Sequence, residues 1–149
     1  MHVARVTIQR KKIVISEKTF SEIVAPECGA VVLFLGIVRN RSTKNPATTR
    51  SDSRLVNYLE YDVYKEMAEE QIQNIRNKAL KKFQIKDAKI IHRIGKIKVG
   101  EIAIMIAVSG AHRKDAFKAG KYIIDNIKKS VPIWKKEVTI DGEYWIEGE

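Results

Sequence analysis

One run narrows the folds open to this chain more than any other. Residues 29–38, GAVVLFLGIV, are almost unbroken apolar sequence, rich in Val, Ile and Phe. Such a run predicts a strand covered on both faces and lying centrally in a sheet. It is also far shorter than the roughly 20 apolar residues that a membrane span needs, and no run in the chain approaches that length. The N-terminus, MHVARVTIQRKKIVIS, lacks the apolar stretch of a secretory signal.

The rest of the chain alternates strands and helices around that run. Short strands are expected at 3–8 and 13–15, followed by a short helix capped by Ser16, with Phe20, Ile23 and Val24 inward and Pro26 ending it. Residues 55–61 alternate as a strand. Tyr64, Met67, Ala68, Ile72, Ile75, Ala79 and Phe83 then recur at helical spacing on one face, with Glu66, Glu69, Glu70, Arg76 and Lys78 on the solvated face. Strands at 88–94 and 102–108 flank a turn region at 95–100. A second long helix is predicted over 112–129, with Ala116, Phe117, Gly120, Ile123, Ile124 and Ile127 inward, and it must end before Pro132. Asp141-Gly142, between VTI and EYWI, carries the signature of a two-residue hairpin turn.

One stretch fits no element. Residues 39–54, RNRSTKNPATTRSDSR, are polar and aperiodic and predict a flexible surface loop over about 40–54. At 149 residues and 44% hydrophobic content the chain suits one domain with a real core. The expectation is a single compact α+β domain over 1–149, with a mixed or antiparallel sheet, two main helices and a C-terminal β-hairpin.

Charge limits the partners. A formal net charge of +10 implies attraction to an anion, without selecting among nucleic acid, membrane, acidic protein and phosphorylated metabolite. Cys28 is the only cysteine, so no internal disulfide can form, and a reducing, cytoplasmic setting is the default. His2, His92 and His112 have no metal-ligand spacing. Cys28, beside a buried strand, reads as a packed residue, and His92 as a structural or orienting one.

The informative cations sit at element ends. Arg39 follows the apolar strand as the chain leaves the sheet. His112 and Arg113 begin a long helix just after Ser109-Gly110-Ala111, where free N–H groups and the helix dipole favour an anion. Lys128 lies in the last turn of that helix, and Lys135 follows Pro132 and Trp134 at the start of the next strand. Singly, each is an ordinary solvated residue or dipole complement. In NIKKSVPIWKKE, however, lysines bracket an apolar Val-Pro-Ile-Trp segment, so buried Val131, Ile133 and Trp134 would hold Lys128 and Lys135 at the edge of a pocket.

GIVRNRS, YLEYDVYKEMAEEQI, HRIGKIKVGE, VSGAHRKDAFKAG and IKKSVPIWKKE occur in that order, and together they closely resemble the large, catalytic subunits of molybdopterin synthase. The resemblance covers about residues 29–147. Its most specific pieces are Ala-His-Arg at 111–113 and Pro-x-Trp-Lys-x-Glu at 132–137; the loop after Arg39 is longer and richer in Ser and Thr than the family pattern. The resemblance implies an α/β-hammerhead-like arrangement and a sulfur transfer. A small ubiquitin-like carrier, with a thiocarboxylate on its C-terminal Gly-Gly tail, would supply sulfur to cyclic pyranopterin monophosphate. The product would be the dithiolene of molybdopterin, for the molybdenum cofactor. It further implies a homodimer of this chain inside a heterotetramer, and no cofactor of its own.

Carried over by motif, Arg39, His112, Arg113, Lys128 and Lys135 would bind substrate, with Lys128 and Lys135 catalytic and some of the five serving the neighbouring subunit. Arginines such as Arg39 and Arg113 can grip a cyclic phosphate bidentately. Repulsion between two close ammonium groups eases proton exchange from one of them. Sulfur that arrives on a partner removes any need for a catalytic cysteine. A reading from another class, a basic nucleic-acid-binding domain, would use Lys11, Lys12, Arg41, Arg50, Lys81 and Lys82 to track phosphates. It lacks an RNP-type aromatic strand, C-x-x-C or helix-turn-helix signature.

Overall fold

The computed structural model of the chain describes residues 4–42 and 54–146. In order these form β1 (Val6–Gln9), α1 (Glu17–Ser21), β2 (Ala30–Ile37), β3 (Arg41–Ser42), β4 (Arg54–Val63), α2 (Lys65–Lys82), β5 (Asp87–Arg93), β6 (Gly95–Lys98), β7 (Ile102–Gly110), α3 (Arg113–Ser130), β8 (Ile133–Thr139) and β9 (Gly142–Ile146). The strands divide into two sheets. One has the order β1-β5-β7-β2, with β1 parallel to β5 and the other pairs antiparallel. The second has the order β3-β4-β8-β9, with β6 also paired to β4. The mixed α+β class, two long helices and terminal hairpin all match the sequence expectation.

The main core lies between the first sheet and the two long helices. Ala68, Ile72, Ile75 and Ala79 of α2 and Ala116, Ala119, Ile123 and Ile127 of α3 pack on Ile8, Ala88, Ile90, Ile104, Ile106 and Val108. Alternate residues of each strand point to that face, so it recruits the even-numbered positions of β5 and β7. Their odd-numbered neighbours Met105 and Ala107 face the other way and are covered by Ile13, Ile15, Phe20 and Ile23. Residues 13–15 are thus no strand: they cover the sheet without joining its ladder. At α1 the Ser16 N–H donates to Thr19 Oγ1 at 2.8 Å.

The apolar run proves to be an edge strand. Val31 and Leu33 of β2 are each 37% exposed, whereas β7 is buried almost throughout and takes the central place between β5 and β2. A continuous apolar run reports that a strand can be covered, not which strand will lie beside it. Other expectations also shift at element margins. Val24, Tyr64, Met67 and Phe117 are exposed, since helix-period positions at or near an end overhang the core. Residues 95–98, expected in a turn, form β6 against Tyr58–Tyr61. The hairpin closes one residue earlier than expected, pairing Thr139 with Gly142, whose φ of +148° is open to glycine. Residues 41–42 pair with 54–55, and the expected flexible loop otherwise lies outside the described residues.

Arg76, expected on the solvated face of α2, instead donates to Asp87 Oδ1 at 2.6 Å and to the Ala88 carbonyl at 2.7 Å. Arg5 Nε donates to the other Asp87 oxygen at 2.8 Å. Burial alone would raise the Asp87 pKa, but the two guanidinium groups hold it below the usual value. This part-buried strut ties the N-terminal strand, α2 and β5 together.

Candidate active site

The first sheet and the second sheet meet at the C-terminal end of α3, and a cavity of about 680 Å³ opens there. Its apolar wall includes Phe34, Ile104, Ile124 and Ile127. Arg39, Lys128, Lys129 and Lys135 stand around it, and among its described lining residues there is no Asp or Glu. A concave, largely apolar space with convergent charges of one sign suits an anionic ligand with an apolar body.

Local structure explains how remote residues reach one cavity. In β2 the register shifts between Gly36 and Ile37, and this irregularity re-aims the chain toward Arg39. Gly36 allows the close approach: a Cβ there would lie 2.6 Å from Ile104 Cγ2. Helix α3 stops at Ser130 because Pro132 cannot continue it, and the Val131 N–H closes the last turn on the Ile127 carbonyl at 3.1 Å. Val131 is buried, and the chain reverses into β8, where Lys135 pairs with Tyr61 on one side and Ile146 on the other. Lys128 and Lys135 are thereby brought to one rim. Trp134, expected to be buried, is 45% exposed: it lines the cavity mouth beside them and packs edge-on against Tyr64, itself exposed, with ring centroids 5.5 Å apart.

Two of the five expected residues lie elsewhere. His112 is the N-cap of α3 and Arg113 its first residue, and both line a shallow cleft with Gly29, Ala30, Ala111 and Lys114. At 1.5 Å per residue the length of α3 separates them from Lys128 by roughly 20–25 Å. The expected fork of Arg39 and Arg113 therefore does not form within one chain. Helix spacing reports the face that a residue occupies, and these residues sit at opposite ends.

The cavity also holds groups that site reasoning from the sequence left aside. Tyr61 of β4 and His92 of β5 both line it, as do Trp145 and Ile146 of β9. His92 is 5% exposed; its Nδ1 donates to the Arg93 carbonyl at 2.8 Å, and Tyr61 meets its ring edge-on at 5.4 Å. Burial pushes the imidazole pKa down to about 4, the Arg93 carbonyl opposes this, and the Lys128 charge lowers it further. The signal was present in the alternation: Ala88, Ile90 and His92 share the helix-covered face, so an imidazole stands where an aliphatic side chain is usual.

Of the cations of the nucleic-acid reading, Arg50 lies outside the described residues, and Lys12 and Lys82 have partners within the chain. Lys12 pairs with Glu101 at 3.1 Å, and Lys82 lies 4.9 Å from the Tyr122 ring centre. Among the described residues no group of His, Cys, Asp and Glu could hold a metal ion. No helix among them is long and apolar enough to cross a membrane.

The family model described as MoaE protein matches residues 8–130. The molybdopterin synthase catalytic subunit of Pyrococcus abyssi is 44% identical over 133 residues, 89% of this chain and 84% of that protein. The crystal structure of molybdopterin synthase from Staphylococcus aureus superposes with a TM-score of 0.82 at 37% identity, covering 97% of this chain and 98% of that one. A chain from the complex of subunits 1 and 2 of the Helicobacter pylori molybdopterin-converting factor has a TM-score of 0.72 over 97% of this chain and 91% of that one. At 20% identity that is a likeness of fold.

Proposed function

This chain belongs to the MoaE protein family, and from that premise we infer that it is the catalytic subunit of a molybdopterin synthase. The reaction is sulfur transfer from the thiocarboxylated C-terminus of a small ubiquitin-like carrier to cyclic pyranopterin monophosphate, building the dithiolene of molybdopterin. The observation that carries this reading is the cavity with Arg39, Lys128 and Lys135 on its wall and no carboxylate among its described lining residues.

Each reactant presents an anion. Arg39 suits the substrate phosphate, because a guanidinium can hold two of its oxygens. Lys135, at the rim, suits the incoming thiocarboxylate. Lys128 lines the same cavity, where it can stabilise charge that develops on the pterin as sulfur adds and the phosphate ring opens. The nucleophilic sulfur arrives on the carrier, so Cys28 stays a structural residue, its Sγ accepting the Ala25 N–H at 3.4 Å. The pterin is substrate, and no cofactor is assigned to the chain.

His112 and Arg113 fit this scheme if a second copy of the chain presents the N-terminal end of its α3 to the cavity. We therefore assign the working unit as a homodimer with one small carrier subunit at each end. Assembly of two different subunits in the H. pylori relative supports the carrier. A cytoplasmic setting follows from the single unpaired cysteine and from the reaction.

Reconstitution is the test. The chain, a thiocarboxylated carrier and the pterin precursor should together yield a dithiolene product, and omission of the thiocarboxylate should abolish it. Failure of the complete mixture, with a folded chain that binds the carrier, would remove the assignment.

A further inference from the structure

His92 lines the cavity, yet sulfur transfer as assigned to Arg39, Lys128 and Lys135 makes no use of its chemistry. Its position is costly, because burying an imidazole on an apolar face sacrifices hydration, and the strand could have placed an aliphatic residue there. Its tautomer is set by its surroundings. A backbone carbonyl can only accept, so the 2.8 Å contact with the Arg93 oxygen puts the proton on Nδ1 and leaves a lone pair on Nε2. The ring lines the cavity together with Lys128.

Among the described lining residues the titratable groups around it, Lys129 of α3 included, are cationic or neutral. Lys128 comes from α3, Arg39 from the chain after β2, Lys135 from β8 and Tyr61 from β4. With no carboxylate among the described lining residues to stabilise an imidazolium, the ring stays neutral well below pH 7, in line with its lowered pKa of about 4. A neutral acceptor set among cations can take a hydrogen bond from an ammonium group without neutralising it.

We propose that His92 is a positioning residue: its Nε2 accepts a hydrogen bond from the Lys128 ammonium and holds that charge inward over the apolar wall when substrate is bound. The idea rests on the sulfur-transfer reading, and it assigns to β5 a role in catalysis that acts through α3. An ammonium group turned away from the apolar wall holds its charge farther from the reacting atoms. Misplacement of this kind lowers turnover more than binding.

The test compares His92→Leu, which keeps the volume and removes the acceptor, with His92→Gln, whose amide can reach the Nε2 position. In the reconstituted reaction, His92→Leu should lower kcat about 10-fold or more with little change in KM for the pterin, and His92→Gln should recover much of it. In a Lys128→Ala background, His92→Leu should cost nothing further, since the two act as one unit. Equal losses in both backgrounds, or no rescue by Gln in a variant that melts like the parent, would overturn the proposal.

A second readout does not need turnover. The ¹⁵N resonance of His92 Nε2 in the intact chain should show a hydrogen-bonded lone pair with phosphate present and a freer one in Lys128→Ala. An Nε2 signal indifferent to Lys128 overturns the proposal even if the sulfur-transfer reading stands. A Lys128-dependent signal in a protein that forms no dithiolene sinks that reading instead, and leaves the contact established without a catalytic role.

Discussion

The two ends of α3 carry the same kind of charge in very different settings. At the C-terminal end Lys128 and Lys129 look onto a cavity closed by two sheets and floored by aliphatic side chains. At the N-terminal end His112, Arg113 and Lys114 line a shallow cleft beside Gly29 and Ala30. The helix dipole favours anions at the second end and disfavours them at the first. The cavity therefore owes its cationic character to side chains that packing has fixed in place, while the cleft starts with free N–H groups and needs another surface to enclose a ligand. Charge becomes a site only where apolar walls exclude water around it.

The largest expected effect breaks the C-terminal end directly. Lys128→Ala or Lys135→Ala should lower kcat/KM for dithiolene formation by about 10²–10³-fold, while the melting temperature stays close to that of the parent. Near-normal turnover in both variants would remove the cavity from the mechanism. The N-terminal end is sharpened by mixing. Arg113→Ala alone should be impaired by about 10²-fold, and co-assembly of Arg113→Ala with Lys128→Ala copies should restore activity through the one undamaged site of each mixed dimer. Additive loss without recovery would mean that the two ends of α3 never share a site.

Acid titration compares the ends through stability. The folded His92 pKa, about 4, lies below the unfolded value of 6.5, so between these limits the unfolded chain binds the proton and the native chain does not. Stability should therefore fall by about 3 kcal/mol as pH drops from 6.5 to 4, and denaturant titrations of His92→Leu should lack that component. Gly36→Ala should cost about 1–3 kcal/mol, because its Cβ would meet Ile104 and the cavity wall would have to shift. At the small end, Lys121→Ala removes an exposed pair with Asp125 in the middle of α3 and should change stability by at most about 0.5 kcal/mol. A larger effect there would mean that the surface of α3, and not its two ends, carries the electrostatics.

Helix periodicity, the proline stop after α3, the terminal hairpin and the cationic residue types were legible along the chain, because each depends on neighbours within a few positions. Residues 126–137 already stated that Lys128 and Lys135 converge, since Val131 and Pro132 act locally, although of the three expected anchors only Val131 is buried and Trp134 is exposed. The edge position of β2, the pairing of β6 with β4 and the conversion of Arg76 from a solvated residue into a strut on Asp87 were not legible. Each depends on which distant strand or carboxylate comes alongside.

By itself, then, the sequence determined the elements, their apolar faces and a set of cations suited to anionic reactants. Tertiary structure alone decided which of those cations face one another: Arg39 joins Lys128 and Lys135 across the junction of two sheets, His112 and Arg113 are carried to the far end of a rigid helix, and His92 enters the cavity from a strand. The physical reason is range. Propensity and periodicity act over a few residues, whereas burial and charge placement depend on long-range packing that no short stretch encodes.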